Sequence, residues 1–376
     1  MTVGEAISIQ PVQNKRMLKS FVKFPWKVYQ GNPCWAPPLI HDELNRFNPR
    51  KNPFYDHSDV QLFVALKSGE VVGRIATFIN RSHNQFHNDR VGFFGFFECL
   101  RDISIAGQLF DVAARWLSER GMTSMRGPMN FSTNEVCGFL LEGFDLSPVT
   151  MMPYAPEDYL RFAEDYGFQK AKDLYAYLAK VELFAWEKYE RLTNLMRERA
   201  DITVRGVNMK KWREETERIR EIYSASWSRN WGFVPMTEAE FDHTVKQLKP
   251  IINPRLLLIL EVNRVPAGFS LTLPDISPAL KKANGRLFPL GFLRFLWALR
   301  KAEQVRVILL GIRPEFQKRG LAGLLLTETA RAILRAGYKT AEMSWTLEDN
   351  LLINKALERV GGRPYKKYRI YEIAIS

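Results

Sequence analysis

The sequence predicts two tandem copies of a mixed α/β domain (an α+β mixed sheet), with the first copy degenerate in its chemistry. Three observations carry this. Strand-like stretches recur at one offset in both halves, a short polar turn joins two strands in each half, and only the second half continues into a strand, a basic glycine-containing turn and a long helix.

Ile7-Ser8-Ile9-Gln10-Pro11-Val12 alternates as a half-buried strand does, and a basic helical stretch follows to Tyr29. Ile202-Thr203-Val204-Arg205-Gly206-Val207 repeats the pattern about 195 residues on, far beyond any solenoid period, and again a basic helical stretch follows, to Tyr223. Leu62-Phe63-Val64-Ala65-Leu66 through Gly73 matches Leu256-Leu257-Leu258-Ile259-Leu260 through Gly268. Each pair reads as a hairpin, turning at Lys67 to Glu70 and at Val262 to Arg264. The ends correspond too, from Ala163 to Phe168 and on to Tyr175–Leu178, against Glu358 to Gly362 and on to Tyr368–Tyr371. The predicted domains are therefore 1–182 and 201–376. Residues 183–200 form a charged linking helix that contains Phe184 to Arg191.

Val305 to Ile312 is an apolar, β-branched run and a buried strand candidate. Arg313-Pro314-Glu315-Phe316 and Gln317-Lys318-Arg319-Gly320-Leu321-Ala322-Gly323 follow, then a periodic segment to Ala336 with Gly337 as its cap. That succession aims free backbone N–H groups and a helix dipole at one spot. Lys318 and Arg319 add positive charge, which suits a phosphate or pyrophosphate.

Ile312-x-Pro314-x-x-Gln317-x-x-Gly320-x-Ala322, after a strand and before a helix, resembles motif A of the GNAT acyltransferases. Glu348-Asp349-Asn350 and the stretch from Asn354 to Gly361 resemble a later helix of the same family. The resemblance is specific over Val305 to Gly361 and, through the repeat, extends more weakly to the whole chain. It implies that Gln317, Lys318, Arg319, Gly320, Leu321, Ala322 and Gly323 hold the pyrophosphate of an acyl-CoA, acetyl or long-chain. It further implies that Leu310, Gly311 and Ile312 line the pantetheine arm and polarise the thioester carbonyl, with Asn350 and Asn354 nearby. Where the family commonly has a thiolate-protonating Tyr, this chain has Leu357, so either that role falls to another group, such as Tyr365, Tyr368 or water, or the thiolate leaves unassisted. The chain also resembles a set of bacterial two-domain GNAT proteins that includes ceramide synthases, through Asn130 to Glu135, Asn230 to Pro235 and an apolar insertion.

The chemistry is expected to be direct attack of an amine on the thioester, which needs a base and an oxyanion donor. Glu342 is the first candidate base and Asp275 the second; either could equally be a solvated acid. In the first copy, the strand from Val91 to Phe97 is followed by Glu98 to Gln108, with no Q-x-x-G-x-G and with the acids Glu98 and Asp102. That copy is therefore not expected to bind CoA. Its loop from Arg126 to Gly138 and the stretch Met151 to Pro156 offer Asn130, Asn134, Glu135 and Tyr154 as acceptor-binding residues. The same residues could instead be turn residues bonding their own backbone.

Leu287 to Lys301 is apolar with basic punctuation and too short to span a bilayer. It could lie in a membrane interface, cover an acyl chain or be a core helix. The net charge of +13 over 376 residues asks for an anionic partner: CoA phosphates, an acidic membrane or nucleic acid. The phosphate-cradling loop favours the first over nucleic acid. Three cysteines without a C-x-x-C, no signal pattern and no long apolar run predict a cytoplasmic protein, with peripheral contact on the inner membrane face. His83 and His87 are four residues apart in what reads as a polar loop, and no metal site is expected. The expected partner is a small-molecule or lipid amine, with a sphingoid-type amine the narrower reading. Two rivals remain: a non-catalytic acyl-CoA-binding module, and a transferase using aminoacyl-tRNA like the Fem peptidyltransferases.

Overall fold

A computed structural model describes residues 6–199, 201–287 and 291–376. The first half runs β1 (Ser8–Pro11), α1 (Lys15–Lys23), α2 (Pro25–Val28), α3 (Ile40–Arg46), β2 (Ser58–Lys67), β3 (Glu70–Asn80), α4 (Arg81–His87), β4 (Val91–Cys99), α5 (Ile103–Ser118), β5 (Ser124–Gly127), β6 (Phe139–Glu142), α6 (Asp158–Tyr166), β7 (Gln169–Lys180) and α7 (Trp186–Arg199). The second half runs β8 (Ile202–Gly206), α8 (Trp212–Trp227), α9 (Glu238–Leu248), β9 (Leu257–Val262), β10 (Val265–Pro274), α10 (Ser277–Ala283), α11 (Gly291–Arg300), β11 (Gln304–Ile312), α12 (Leu321–Arg335), β12 (Thr340–Leu347), α13 (Leu351–Arg359) and β13 (Arg363–Ala374).

These elements form two units that are not consecutive in sequence. Unit 1 is Met1–Leu174, Ala279–Leu296 and Lys366–Ser376; unit 2 is Tyr175–Pro278 and Trp297–Tyr365. The units cross the borders of the sequence copies. The second copy lends 279–296 and 366–376 to unit 1, and the first copy lends the last half of β7 to unit 2.

In unit 1 the strand order is β1-β2-β3-β4-β5-β13, with β6 on β13. β2 and β3 are joined by Ser68 and Gly69, both at positive φ (52° and 78°), the two-residue turn whose twist matches an antiparallel pair. α5 turns Ile105, Leu109, Phe110 and Ala113 onto Phe94, Phe97 and Phe168. Each of the larger side chains stabilises the fold by about 1.5–3 kcal/mol through burial. In unit 2 the order is β12-β11-β10-β9-β8. Its hairpin turns through Asn263 and Arg264, again both at positive φ (50° and 65°). α12 buries Leu321, Leu324 and Leu325 against Leu258, Leu260 and Ile312.

The same device follows the hairpin in both units. β4 pairs parallel with β5 only at Val91–Phe93, and β11 pairs parallel with β12 only at Gln304–Val307. The strands then part, although β4 continues to Cys99 and β11 to Ile312. A bulge lies where each pair parts: β11 carries Ile308 as an extra residue against β10, and β4 bulges at Phe96, whose φ is 49°.

Two expectations change. His83 and His87 lie on a helix, α4, capped by the Asn80 side chain, and His83 is buried with its ring against Phe93. Burial pushes the His83 imidazole down to about 3, so it is neutral. Among the described residues no group of three or more His, Cys, Asp or Glu could hold a metal ion. Within Leu287 to Lys301, residues 288–290 lie outside the described residues. α11 is not a core helix: Phe292, Leu293 and Trp297 are 53%, 64% and 52% exposed. No helix among the described residues is long and apolar enough to cross a membrane.

Candidate functional site

Unit 2 follows β11 with a basic turn. Gln317 reaches back from the loop to donate to the carbonyl oxygen of Ile312 at 2.9 Å, which closes the loop on the strand end. Lys318 and Gly320 both take left-handed φ (62° and 78°). Gly320 then caps α12 with no side-chain hydrogen bond, and the first donors back to its carbonyl are Gly323 and Leu324. The N–H groups of Gly320, Leu321 and Ala322 precede those bonds and have no carbonyl of the helix to pair with. Gln317, Lys318, Arg319, Gly320 and Ala322 are exposed, so charge and dipole act together at an open surface.

Beyond the bulge, Ile308, Leu309 and Leu310 are only half-buried, although β11 is a central strand. Gly311 lies against α8 so closely that a Cβ there would sit 2.3 Å from the Trp227 ring. On the same face, Leu309 lines an apolar cavity with Phe269 and Leu271 of the sheet, Tyr223 of α8 and Phe241 of α9. The space is small, about 80 Å³.

Among the predicted residues of unit 2, Asn350 caps α13 by accepting from Ile353 N at 3.3 Å. Asn354 ties that helix to the end of β12: it donates to Leu347 O at 3.0 Å and accepts from Thr346 Oγ1 at 2.6 Å. Glu342 stands opposite Arg306 in the β11–β12 register and is fully buried. Its carboxylate accepts from Ser344 Oγ on one oxygen and from the half-buried Tyr365 hydroxyl on the other. Arg306 Nε in turn donates to Ser344 Oγ at 2.9 Å. Asp275 is a capping carboxylate that accepts from Ser277 N at 3.0 Å, and its own N–H bonds Gln304 O at the start of β11. Asp275 is thus held at the start of β11 with its carboxylate engaged as a helix cap. Tyr368 falls in unit 1 and is fully buried, its Cβ 3.0 Å from where a Gly138 side chain would begin. Neither position suits the role expected of it.

In unit 1 the corresponding groove is filled by the chain itself. Met129 N donates to Phe94 O at 2.8 Å, and Phe96 N donates to Asn130 Oδ1 at 2.9 Å. A Cβ on Gly95 would lie 1.6 Å from Met129 O, so only glycine admits this approach. The helix that follows is capped as well: the Asp102 carboxylate accepts from Ser104 N and Oγ, and these bonds hold it below the usual carboxylate range. Asn130 thus carries a backbone-bonding role, while at Asn134 the backbone N–H donates to Ser132 Oγ at 3.2 Å. Glu135 pairs with Arg46 at 3.5 Å. Tyr154 has other partners. It donates to Phe144 O and accepts from Asn32, and its ring tilts toward Tyr29.

Sequence reasoning missed the group to which Tyr29 leads. Glu98 accepts from Tyr29 and Tyr159, each at 2.9 Å, and burial pushes its carboxyl up to about 7 against the opposing pull of Arg74. The signal was in the repeat: Glu98 faces Arg74 one residue from Gly73, as Gly311 faces Phe269 one residue from Gly268.

No protein-family model matches the chain. It is 37% identical over 366 residues to Protein YghO of Escherichia coli, covering 96% of this chain and 93% of that protein. It is 34% identical over 380 residues to a bacterial ceramide synthase of Caulobacter vibrioides, covering 98% of both. Among solved structures, a tandem GNAT protein from the clavulanic acid biosynthesis pathway matches with a TM-score of 0.58 at 11% identity over 98% of both chains. A GCN5-related N-acetyltransferase from Sphaerobacter thermophilus matches with a TM-score of 0.52 at 11% identity, over 98% of this chain and 95% of that one. The distant structures carry the fold, the two relatives carry kinship along the whole length, and the chain belongs to the tandem GNAT acyltransferases.

Proposed function

We propose that this protein is an acyl-CoA-dependent N-acyltransferase whose donor is bound by unit 2 and whose acceptor is a long-chain, lipid-like amine. The observation that carries the reading is the uncapped start of α12 beside an opened β11, with Gln317 closing the loop between them. A sphingoid-type amine is the narrower expectation, supported by the relative named a ceramide synthase. The division of labour follows the sequence copies, with 201–376 for the donor and 1–182 for acceptor-side and supporting contacts.

Lys318, Arg319 and the N–H groups from Gly320 to Ala322 hold the pyrophosphate. The N–H of Leu310, which like that of Ile312 lies on the edge of β11 turned away from β10, donates to the thioester oxygen as negative charge develops on it. The amine attacks the carbonyl carbon, a C–N bond forms, and the C–S bond breaks with the electron pair leaving on sulfur. The nitrogen sheds a proton in the same passage. Tyr365, half-buried, accepts it as its own proton passes to Glu342, and Arg306 holds the pair through Ser344. Asn350 and Asn354 keep the end of β12 in place beside the pantetheine arm.

α11 is the proposed contact with a membrane surface. Phe292, Leu293, Leu296 and Trp297 form one exposed stripe that ends in Arg300 and Lys301.

The test is native mass spectrometry of the protein with an acyl-CoA series from acetyl to palmitoyl, followed by thiol release with long-chain amines. Retention of acyl-CoA and thiol release that depends on the amine support the reading. No retention of any acyl-CoA overturns it.

A further inference from the structure

α1 carries four cations that the fold does not use. Lys15, Arg16, Lys19 and Lys23 fall within about 100° of arc on this helix, and the first three are exposed. Among the described residues none of the four makes an ion pair, whereas Lys27, on the next helix, bonds Glu70 at 2.7 Å. The first turn of α1 holds no acid, and Lys15 and Arg16 there oppose the helix dipole, so they do not serve the stability of the helix. The other side of α1 is anchored. Phe21 and Val22 are buried, the Phe21 ring meets Phe47 at 5.2 Å, and Arg74 donates to Phe21 O at 2.9 Å. Just past the stripe, unit 1 holds the segment that leads into α11. Trp26 Nε1 donates to Asn284 Oδ1 at 2.9 Å, Ile40 N donates to Gly285 O at 3.0 Å, and a Cβ on Gly285 would lie 2.5 Å from the Trp26 ring. Phe292 N then donates to Leu287 O, so α11 starts within a few residues of that joint. Phe292, Leu293 and Leu296, in the same unit, are exposed.

We propose that α1 is a second membrane contact, its four cations lying on the headgroups of an anionic bilayer while the exposed apolar residues of α11 enter it. The inference rests on the membrane contact assigned to α11. The charges run along about 12 Å of helix. Each Lys or Arg near such a surface raises affinity roughly fivefold, and salt screens the gain. A nucleic acid would take the charges and leave Phe292, Leu293 and Leu296 in water, whereas a bilayer uses both. The contact holds unit 1 at the surface in which a long-chain amine is dissolved.

The experiment is sedimentation of the full chain with phosphatidylglycerol vesicles, comparing the unaltered protein with Lys15→Glu plus Lys19→Glu. A carboxylate in the first turn suits the helix dipole, and Lys19 is exposed, so the melting temperature should hold. The expected result is a loss of vesicle affinity of roughly 25-fold or more and a shallower dependence on salt, with retention of acyl-CoA unchanged. Should the variant fail to fold, Lys15→Gln with Lys19→Gln is read by the same comparison. Vesicle affinity within about twofold of the unaltered protein overturns the inference and leaves the contact at α11 standing. Binding of tRNA by the unaltered protein, lost by the variant while vesicle binding persists, overturns it in favour of nucleic acid. If the unaltered protein does not sediment at all, the contact at α11 has failed and this inference with it.

Discussion

The backbone N–H of Met129 donates to the carbonyl oxygen of Phe94 at 2.8 Å, where β4 has parted from β5. With Asn130 accepting from Phe96 N, the chain supplies its own partner to the opened strand, while Asp102 supplies its own anion to the helix behind it. A bound pantetheine would have to displace two hydrogen bonds, and a phosphate would meet a carboxylate. The expected stoichiometry is therefore one acyl-CoA per chain at saturation. Titration calorimetry or native mass spectrometry checks it, and two equivalent sites would contradict the self-filled groove.

Gly320 separates fold from binding. At φ 78° an ordinary L-residue costs about 1–2 kcal/mol, but Asn visits this region readily. Gly320→Asn should bind acyl-CoA within a few-fold of the unaltered protein. Gly320→Glu places a carboxylate at the same N–H groups and should weaken binding roughly 10- to 100-fold. Melting temperatures of both variants report the strain they share, so the affinity difference isolates charge. Equal affinities would remove the helix start from the phosphate site.

Glu342 and Tyr365 should behave as one unit. Tyr365→Phe removes the half-buried hydroxyl, and Glu342→Gln removes the buried base behind it. Each should lower kcat by about 100-fold or more, in the range of a lost general base, with KM for acyl-CoA little changed. The double variant should be no slower than the worse single one. Additive losses in kcat would mean separate roles.

The fold was legible because hydrophobic period and turn chemistry act locally: the repeated strands, both hairpins, β11 and the glycine-capped α12 all stand where the pattern of residues puts them. The loop from Gln317 to Gly323 was legible for the same reason. Asp275 and Tyr368 were not, because whether a carboxylate caps a helix or a phenol is walled in depends on distant partners. Asp275 is fixed by its N–H bond to Gln304 O, and Tyr368 meets the β6 strand through Leu140. Glu98 was read as an acid that would repel phosphate; only its cross-strand position opposite Arg74 turns it into the centre of a buried tyrosine pair. His83 was taken for a loop residue because polar neighbours hide a helix of under two turns.

Glu98 gives unit 1 a pH dependence of definite sign. Its folded-state carboxyl titrates at about 7 against an ordinary 4.5, raised by burial. The stability it contributes is complete below about 4.5 and is lost as pH rises through about 7, at up to about 1.4 kcal/mol per pH unit. His83, held down to about 3 from 6.5, acts in the opposite sense and loses stability as pH falls through that range. The difference between the protein and Glu98→Gln isolates the carboxyl. Glu98→Gln should gain stability relative to the unaltered protein between pH 5 and pH 8 in urea unfolding. Parallel curves would place the Glu98 carboxyl in solvent.

The exposed stripe of α11 makes the last prediction. Phe292, Leu293, Leu296 and Trp297 recur at the spacing that keeps one helix face, and Lys301 Nζ lies 3.8 Å from the centre of the Trp297 ring. In water such a face wastes apolar surface; at a bilayer each large side chain would gain about 1.5–3 kcal/mol. Arg300 and Lys301 favour an anionic surface by about 1 kcal/mol each, within a Debye length. Sedimentation with phosphatidylglycerol vesicles should carry the protein down, phosphatidylcholine vesicles should carry far less, and raised salt should narrow the gap. Leu293→Ser with Trp297→Ser should weaken sedimentation by tenfold or more while leaving retention of acyl-CoA intact, since neither residue belongs to the loop from Gln317 to Gly323. Sedimentation unchanged by the pair would move membrane contact off α11, and equal sedimentation with neutral vesicles would remove the basic residues from it.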